Sequence, residues 1–304
     1  MADYLVIDVG GTKIKFALMG DDARVKEKGE KDSPDSLEEF WLVLDELVDS
    51  YRLRVSGLAF SLPGRVDVKE GVVYLGGSLT YLHEAPIRER MEKKFGLKTS
   101  LQNDGKAAAL AEAWLGSLKD CQQALALVLG TGIGGGLILD GHLRQGFHDQ
   151  AGELSFMLLN PAGVGFDKMS GSIGSAVSLV ERINMAMGYG DVKDGRAAFQ
   201  AILSAQSPAK QFFEDYCRYI AILILNSQAI LDVEKVAIGG GISAQTIVID
   251  EINHQYNRLL QSDPITAFNI SRPEIVSAQF GNDANLYGAL YQFLLDNKIE
   301  RGEM

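Results

Sequence analysis

Two segments that combine glycine with threonine carry the clearest chemical signal in the sequence. The first is Asp8-Val-Gly-Gly-Thr-Lys13 and the second is Gly130-Thr-Gly-Ile-Gly-Gly135. Apolar stretches with β-branched residues flank both segments, which predicts a strand, a tight turn and a second strand each time. Glycine has no Cβ atom, so another group can approach the backbone of such a turn closely. Two matched hairpins predict two similar half-structures that grip phosphate groups in a cleft.

Both turns are predicted to supply donors to phosphate oxygens. The candidate residues are Gly10, Gly11, Thr12, Gly130, Thr131 and Gly132. Asp8, at the end of the first strand, is predicted to face the metal that accompanies nucleotide phosphates. A third run, Gly239-Gly-Gly241, follows a strand and opens a helix, so Gly240 and Gly241 are candidates for binding adenosine or its α-phosphate. Ordinary β-turns are the alternative for any one of these segments.

Two better-known phosphate motifs are excluded. The second segment satisfies the pattern G-x-G-x-x-G, but a dinucleotide-binding fold needs a helix to begin at those glycines. Residues 136–141 instead predict a strand and a turn, and no G-x-x-x-x-G-K-[ST] sequence is present.

Polar residues at two other places could act on a substrate. Asn103 and Asp104 stand where a strand runs into a helix, which is where open α/β sheets bind ligands. A carboxylate there can accept the proton of a hydroxyl that attacks a phosphoryl group. Helix capping is the alternative role, since Asn and Asp are preferred caps. Glu153 follows Gly152 in an irregular stretch, where it could accept sugar hydroxyls or lie on the solvated surface.

The composition of the chain limits which classes of protein it can belong to. The 304 residues, 46% hydrophobic and 23% charged, predict a globular protein of two domains. A net charge of −11 argues against nucleic-acid or anionic-membrane binding. Two distant cysteines, Cys121 and Cys217, fit a reducing compartment, and the N-terminus has no secretory pattern. The longest strongly apolar stretch, 219–225, is too short for a membrane span, so the cytoplasm is expected.

Strands alternate with helices along the chain, which predicts an α/β fold. Beyond the two hairpins, the clearest predicted strands are 57–62, 98–102 and 235–238. The predicted helices are 33–51, 85–95, 106–114, 208–231, 243–260 and 283–297. Crossovers near 105–115 and 280 are the expected domain boundary.

Together these residues resemble the ROK family of bacterial sugar kinases and repressors, within the actin-like/hexokinase ATPase superfamily. The phosphate segments (with Lys13), Pro63-Gly-Arg-Val-Asp67, the stretch Asn103–Glu112 and Gly239-Gly-Gly-Ile242 match family motifs in the family order. The resemblance covers nearly the whole chain. It implies two actin-like or ribonuclease H-like α/β domains with a cleft between them. We expect a first domain over 1–108, with the C-terminal helix 283–304 packed on it, and a larger domain over 109–282.

The resemblance also implies the chemistry. The substrates would be Mg-ATP and a sugar, with Asp104 as the general base for the attacking hydroxyl, usually O6. Asn103 and Glu153 would bind other sugar hydroxyls, and homodimers are common in the family.

This sequence departs from the family pattern at one site. Relatives usually read Gly-Glu-x-Gly-His, where the histidine binds zinc or sugar, but here the stretch is Gly152-Glu-Leu-Ser-Phe156. The family's cysteine cluster is also missing, so no structural zinc is expected, and Asp167 is a candidate for the substrate-binding role of a Glu in zinc-free relatives. Loss of the histidine could open the pocket at the anomeric carbon. The segments 76–82 and 152–156 together resemble those of β-glucoside kinases within the family. Gly77, in the first of these segments, is therefore a candidate substrate contact.

The sequence therefore predicts an ATP-dependent kinase for a hexose or for the non-reducing glucose of a β-glucoside such as cellobiose. A glucokinase, or a kinase for N-acetylmannosamine, fructose or allose, is the alternative. A sugar-sensing repressor is disfavoured because Asp8 leaves no room before it for a winged helix. A non-catalytic sugar binder is the remaining alternative, and Asp104 argues against it.

Overall fold

The computed structural model describes residues 2–159, 163 and 165–299, and they form two compact units. The first unit contains Met1–Lys119, Leu143–Ala151 and Asn282–Met304. The second contains Asp120–His142 and Gly152–Gly281. No helix in the described part of the chain is both long and apolar enough to cross a bilayer.

In chain order the strands are β1 (Asp3–Val9), β2 (Lys13–Gly20), β3 (Val25–Asp32), β4 (Leu58–Leu62), β5 (Arg65–Asp67), β6 (Val72–Tyr74), β7 (Thr99–Asn103), β8 (Gln123–Leu129), β9 (Ile133–Leu139), β10 (His142–Leu143), β11 (Lys235–Gly239) and β12 (Glu274–Ser277). The helices are α1 (Leu37–Tyr51), α2 (Ile87–Phe95), α3 (Asp104–Leu115), α4 (Ser170–Ile173), α5 (Ala176–Met187), α6 (Gly195–Leu203), α7 (Ala209–Leu231), α8 (Thr246–Gln261), α9 (Pro264–Asn269) and α10 (Ala284–Asp296).

Each unit is built on a five-stranded sheet, and the two sheets share one strand order. The first reads β3-β2-β1-β4-β7, with β1 antiparallel to β2 and parallel to β4. The second reads β10-β9-β8-β11-β12, with β8 antiparallel to β9 and parallel to β11. In both, a hairpin supplies the central strand and the parallel strands follow on its other side. This confirms the two similar α/β half-structures that the matched hairpins predicted.

Side chains alternate along β1 between two buried faces. Leu5, Ile7 and Val9 pack into a core that includes one face of α1. Tyr4 and Val6 point the other way, into a core that includes α10. Because the strand period is two residues, Asp8 shares the face of Tyr4 and Val6 and is directed towards α10.

Helices α3 and α10 pack closely in the first unit. A Cβ atom at Gly288 would lie 1.7 Å from the carbonyl oxygen of Ala107, so the two backbones meet without an intervening side chain. The predicted domain boundary at residue 108 falls inside α3, which lies wholly in the first unit. Leu143–Ala151 also belongs to that unit, and Lys106 Nζ donates a hydrogen bond to the Asp149 carbonyl in this segment at 2.5 Å.

Strand β3 has no strand pattern in the sequence and was not predicted. Its residues, Val-Lys-Glu-Lys-Gly-Glu-Lys-Asp, include only one apolar side chain, and most are exposed. An edge strand needs no apolar face, and charged residues on such an edge prevent pairing with other chains. Helices α5 and α6 fell in the part of the chain predicted only as mostly helical, without bounds.

Candidate functional site

Asp8 is a buried carboxylate at the end of β1, with 6% of its surface exposed. Asn285, on α10, donates its Nδ2 proton to Asp8 Oδ1 at 3.0 Å. Burial raises the pKa of Asp8, while the hydrogen bond from Asn285 and the charge of Lys15 act in the opposite direction. A desolvated carboxylate beside a glycine turn fits Mg²⁺, which is usually held by one or two carboxylates together with substrate phosphates.

The first glycine turn is held rigidly from its inner side. Gly10 N–H donates to the Lys13 carbonyl at 3.0 Å, and the Ser33 hydroxyl donates to the Gly10 carbonyl at 2.6 Å. A Cβ at Gly11 would lie 2.5 Å from Ser78 Oγ. Gly11 and Thr12 are themselves exposed, so the turn presents fixed backbone to a ligand.

Lys13 was predicted as part of the phosphate site, and the structure shows its ammonium group in ion pairs on β3. It lies 2.8 Å from Asp32 and 3.4 Å from Glu30, which raises its pKa. These carboxylates compete with any phosphate for the Lys13 charge. Its phosphate contact stays a prediction.

Asn103 ends β7 and caps α3, as the alternative interpretation held. Its Oδ1 accepts from Lys106 N–H at 3.1 Å, and its Nδ2 donates to the Gly64 carbonyl at 2.8 Å and to Asp104 Oδ1 at 2.9 Å. The same Asp104 oxygen accepts from Gly105 N–H at 2.8 Å. Two donors therefore fix the orientation of the Asp104 carboxylate, which is half-buried at the start of the helix.

The segment 75–78 brings Gly77 into this part of the first unit. Gly64 has φ +80°, and a Cβ there would lie 2.0 Å from the Leu75 carbonyl oxygen. Gly77, with φ +62°, donates its N–H to the same carbonyl at 2.6 Å. Asn103 holds Gly64, and Ser78 packs against Gly11. The predicted sugar residues and the first phosphate turn are therefore linked through one short segment.

In the second unit, the second phosphate turn and the predicted adenosine turn are neighbours. Gly130 N–H donates to the Gly132 carbonyl at 3.0 Å, and the Gly130 carbonyl accepts from Ala176 N–H, at the start of α5, at 2.9 Å. Gly240 has φ +94°, and a Cβ there would lie 2.2 Å from the carbonyl oxygen of Leu129, the last residue of β8.

At three of the glycines predicted to bind nucleotide, the packing of the protein would also accept a residue with a Cβ atom. A Cβ atom at Gly130 or Gly241 would meet nothing within 4 Å, and one at Gly132 would have its nearest neighbour at 3.6 Å. None of the three has a left-handed φ. A Cβ atom at Gly10, Gly11 or Gly240, in contrast, would lie 3.0 Å or less from other protein atoms. The open side of the first three leaves room for a ligand against the backbone.

A cavity of about 550 Å³ adjoins the adenosine turn. Its lining residues are Val180, Asp191, Lys193, Asp194, Gly195, Arg196, Phe199, Gly241, Ile242 and Gln245. Among them, only Gly241 was predicted from the sequence as a binding residue. The others lie mostly on α5, α6 and the loop between these helices, a region without a recognisable motif in the sequence.

Glu153 lies beside β9 in the second unit. A Cβ at Gly152 would lie 3.2 Å from Gly136 Cα, and the Ser155 hydroxyl donates to the Ile133 carbonyl at 2.6 Å. These contacts place the half-buried Glu153 next to the hairpin that carries the second phosphate turn.

Asp167 is mainly exposed, with 68% of its side chain accessible, and it pairs with Lys168 at 2.6 Å. That pairing lowers the pKa of Asp167. The substrate role of Asp167 stays a prediction. Within residues 2–159, 163 and 165–299, no three His, Cys, Asp or Glu side chains are grouped as a metal site would require. Residues 160–162 and 164, in the stretch that lacks the family's zinc cysteines, lie outside the described residues.

The ROK family model matches residues 4–295. The chain belongs to the ROK family. This ROK protein is 30% identical to a beta-glucoside kinase of Listeria innocua over 94% of its own length and 96% of the relative's. It is 27% identical to an N-acetyl-D-glucosamine kinase of Aliivibrio salmonicida, over 95% and 98% of the two chains.

A solved ROK family protein from Streptococcus pneumoniae, in complex with sucrose, has the same fold. The TM-score is 0.86 at 28% identity, over 97% of this chain and 99% of that one. Family and fold class are thus as the motifs predicted.

Proposed function

We propose that this ROK protein is an ATP-dependent sugar kinase that phosphorylates the 6-hydroxyl of a hexose. The observation that carries the proposal is the orientation of Asp104 by Asn103 Nδ2 and Gly105 N–H at the end of β7. A carboxylate fixed in this way is suited to accept a proton from a positioned hydroxyl, because a base must be held within hydrogen-bond reach of the proton. Named kinases among its full-length relatives support the same reaction class.

Each of the predicted residues then has a task in the proposed phosphoryl transfer. Asn103 and Glu153 bind sugar hydroxyls, and Asp104 takes the proton of the attacking one. The backbone of the glycine turns at Gly10–Thr12 and Gly130–Gly132 stabilises charge on the phosphate oxygens. Asp8 would hold Mg²⁺ with the nucleotide, and that ion would neutralise phosphate charge.

For the substrate we propose a β-glucoside, phosphorylated on its non-reducing glucose. Phe156 stands where the family usually has histidine, and the side chain is exposed. A pocket without that histidine can extend beyond the anomeric carbon. The Listeria innocua relative acts, by its name, on β-glucosides. N-acetylglucosamine is the second candidate, because the Aliivibrio salmonicida relative is named for it.

A coupled ADP-release assay with Mg-ATP tests both the proposed kinase reaction and the proposed β-glucoside substrate. The panel is glucose, cellobiose, gentiobiose, allose, fructose, mannose, N-acetylmannosamine and N-acetylglucosamine. Higher kcat/KM for cellobiose or gentiobiose than for glucose is expected. Turnover of monosaccharides alone would reject the β-glucoside assignment and keep the kinase. Absence of turnover with every sugar would reject the kinase.

A further inference from the structure

One face of α5 runs from the second phosphate turn to the wall of the 550 Å³ cavity. Ala176, Val180 and Asn184 follow one another at four-residue spacing, so they lie on the same side of the helix. Ala176 N–H bonds the Gly130 carbonyl, and Val180 lines the cavity. Asn184, near the end of the helix, does not line the cavity and is completely buried.

The side chain of Asn184 is bonded to the loop that follows α5. Its Nδ2 donates to the carbonyl oxygens of Asp191 at 3.3 Å, Val192 at 3.1 Å and Asp194 at 2.9 Å. Residues 191–194 have no helix or strand of their own, so these bonds define their path. The loop then leads directly into α6, where Asp194 caps the first turn.

We propose that Asn184 is a positioning residue for the nucleotide. It fixes the loop 191–194, and through it the two cationic cavity residues Lys193 and Arg196, without touching the ligand. Within the described part of the chain, neither cation has an ion pair. The two carboxylates that also line the cavity, Asp191 and Asp194, accept hydrogen bonds from the backbone N–H groups of Lys193, Arg196 and Ala197. We infer that the charges of Lys193 and Arg196 complement an anionic nucleotide. This inference rests on the proposed function, because it takes the cavity beside Gly241 as the nucleotide site.

The test compares Asn184→Asp with the unmodified protein. The substitution keeps the size of the side chain but replaces the donor with an oxygen that faces three carbonyls. We expect the Kd for AMPPNP, measured by calorimetry without sugar, to rise at least about tenfold. The KM for ATP should rise with it while the KM for sugar stays unchanged. Equal nucleotide affinity in the variant would overturn the proposal.

Asn253→Asp is the control for nucleotide binding away from the cavity. Asn253 Nδ2 also donates to two carbonyls, those of Ile249 and Ile275, and neither residue lines the cavity. Its Oδ1 accepts from the Arg272 guanidinium, so a carboxylate at this position keeps a partner. Asn253→Asp should keep the Kd for AMPPNP and the KM for ATP of the unmodified protein. A purely structural role for Asn184 would lower the melting temperature and the active fraction of Asn184→Asp and leave its KM for ATP unchanged.

A second variant and a hydrogen-exchange measurement test the role of Asn184 independently. If Asn184→Asp does not fold, Asn184→Ser, which retains one shorter donor, should show a smaller rise in Kd. Hydrogen exchange of the unmodified protein should show protection of amides 191–196 by AMPPNP, and unchanged exchange there would contradict the proposal. If the unmodified chain binds AMPPNP but phosphorylates no sugar, the kinase is rejected, and a raised Kd of Asn184→Asp still supports the role of Asn184. A chain that binds no AMPPNP would overturn the role of Asn184.

Discussion

At the scale of single residues, the orientation of the Asp104 side chain can be kept while its ability to accept a proton is removed. Asp104→Asn keeps an acceptor for Asn103 Nδ2 and Gly105 N–H but cannot take a proton. We expect kcat to fall by about 10²–10⁴-fold, with sugar binding by calorimetry nearly unchanged. Asp120→Asn, at an exposed position with φ +69°, is the control and should have normal turnover. Near-normal turnover of Asp104→Asn would show that another group is the base.

The nucleotide glycines allow a second prediction at this scale. Gly130→Ala places a methyl group in open space, whereas Gly240→Ala forces one against Leu129 at a left-handed φ. Gly240→Ala should therefore lower the free energy of unfolding by about 1–3 kcal/mol or more. Gly130→Ala should leave stability unchanged and raise the KM for ATP. Urea unfolding followed by circular dichroism and an ATP titration test the pair. An unaltered KM in stable Gly130→Ala would remove this turn from the phosphate site.

At the scale of elements, α10 packs against α3, the helix that begins with the proposed base Asp104. Asp104 begins α3, and Gly288 of α10 lets that helix approach Ala107 one turn further on. A methyl group at 288 would separate the helices, and we expect Gly288→Ala to destabilise the first unit by about 3 kcal/mol or more, as overpacking does. Both tryptophans, Trp41 and Trp114, lie in this unit, so their fluorescence during urea unfolding reports the change.

A second helical glycine provides the comparison. Gly195 begins α6, and a Cβ atom there would meet no other atom within 4 Å. Gly195→Ala should therefore be neutral or stabilising by up to about 1 kcal/mol, because alanine has the higher helix propensity. Equal effects of the two substitutions on unfolding would show that helix propensity, rather than helix contact, dominates at 288.

At the scale of the whole molecule, Asp8 links stability to pH. Its pKa is raised from 3.8 in the folded chain, so the folded state binds more protons than the unfolded state between 3.8 and the raised value. Stability therefore falls as pH rises through that window and is lowest above it. Asp8→Asn keeps the acceptor for Asn285 and removes the buried charge.

We expect Asp8→Asn to be more stable than the unmodified protein at pH 7 and to lose this advantage below pH 3.8, the ordinary pKa of the group. Tryptophan fluorescence in urea at several pH values measures the difference, with exposed Asp35→Asn as a control that should show none. Phosphoryl transfer should be impaired, because the carboxylate proposed to hold Mg²⁺ is gone. Lower stability of Asp8→Asn at pH 7 would contradict the burial argument.

The local pattern of the chain was enough to predict the strand–turn–strand hairpins, the buried strand before Pro63 and the helix after Asn103. Each depends on neighbours in sequence: apolar periodicity, glycine in a turn and a capping oxygen three residues from its donor. The family motifs followed from the same short segments, because their order along the chain is a property of sequence alone.

Contacts between segments that are distant in the sequence could be recognised only in the folded structure. Lys13 looks like a phosphate ligand in the motif, but β3 brings Asp32 and Glu30 to its ammonium group. The cavity residues on α5 and α6 have no motif, since their common location depends on how those helices pack beside Gly241. The distinction between Gly130, which is open, and Gly240, which is pressed on Leu129, is likewise invisible in sequence. Two identical residues in similar turns differ only in which atoms the fold places around them.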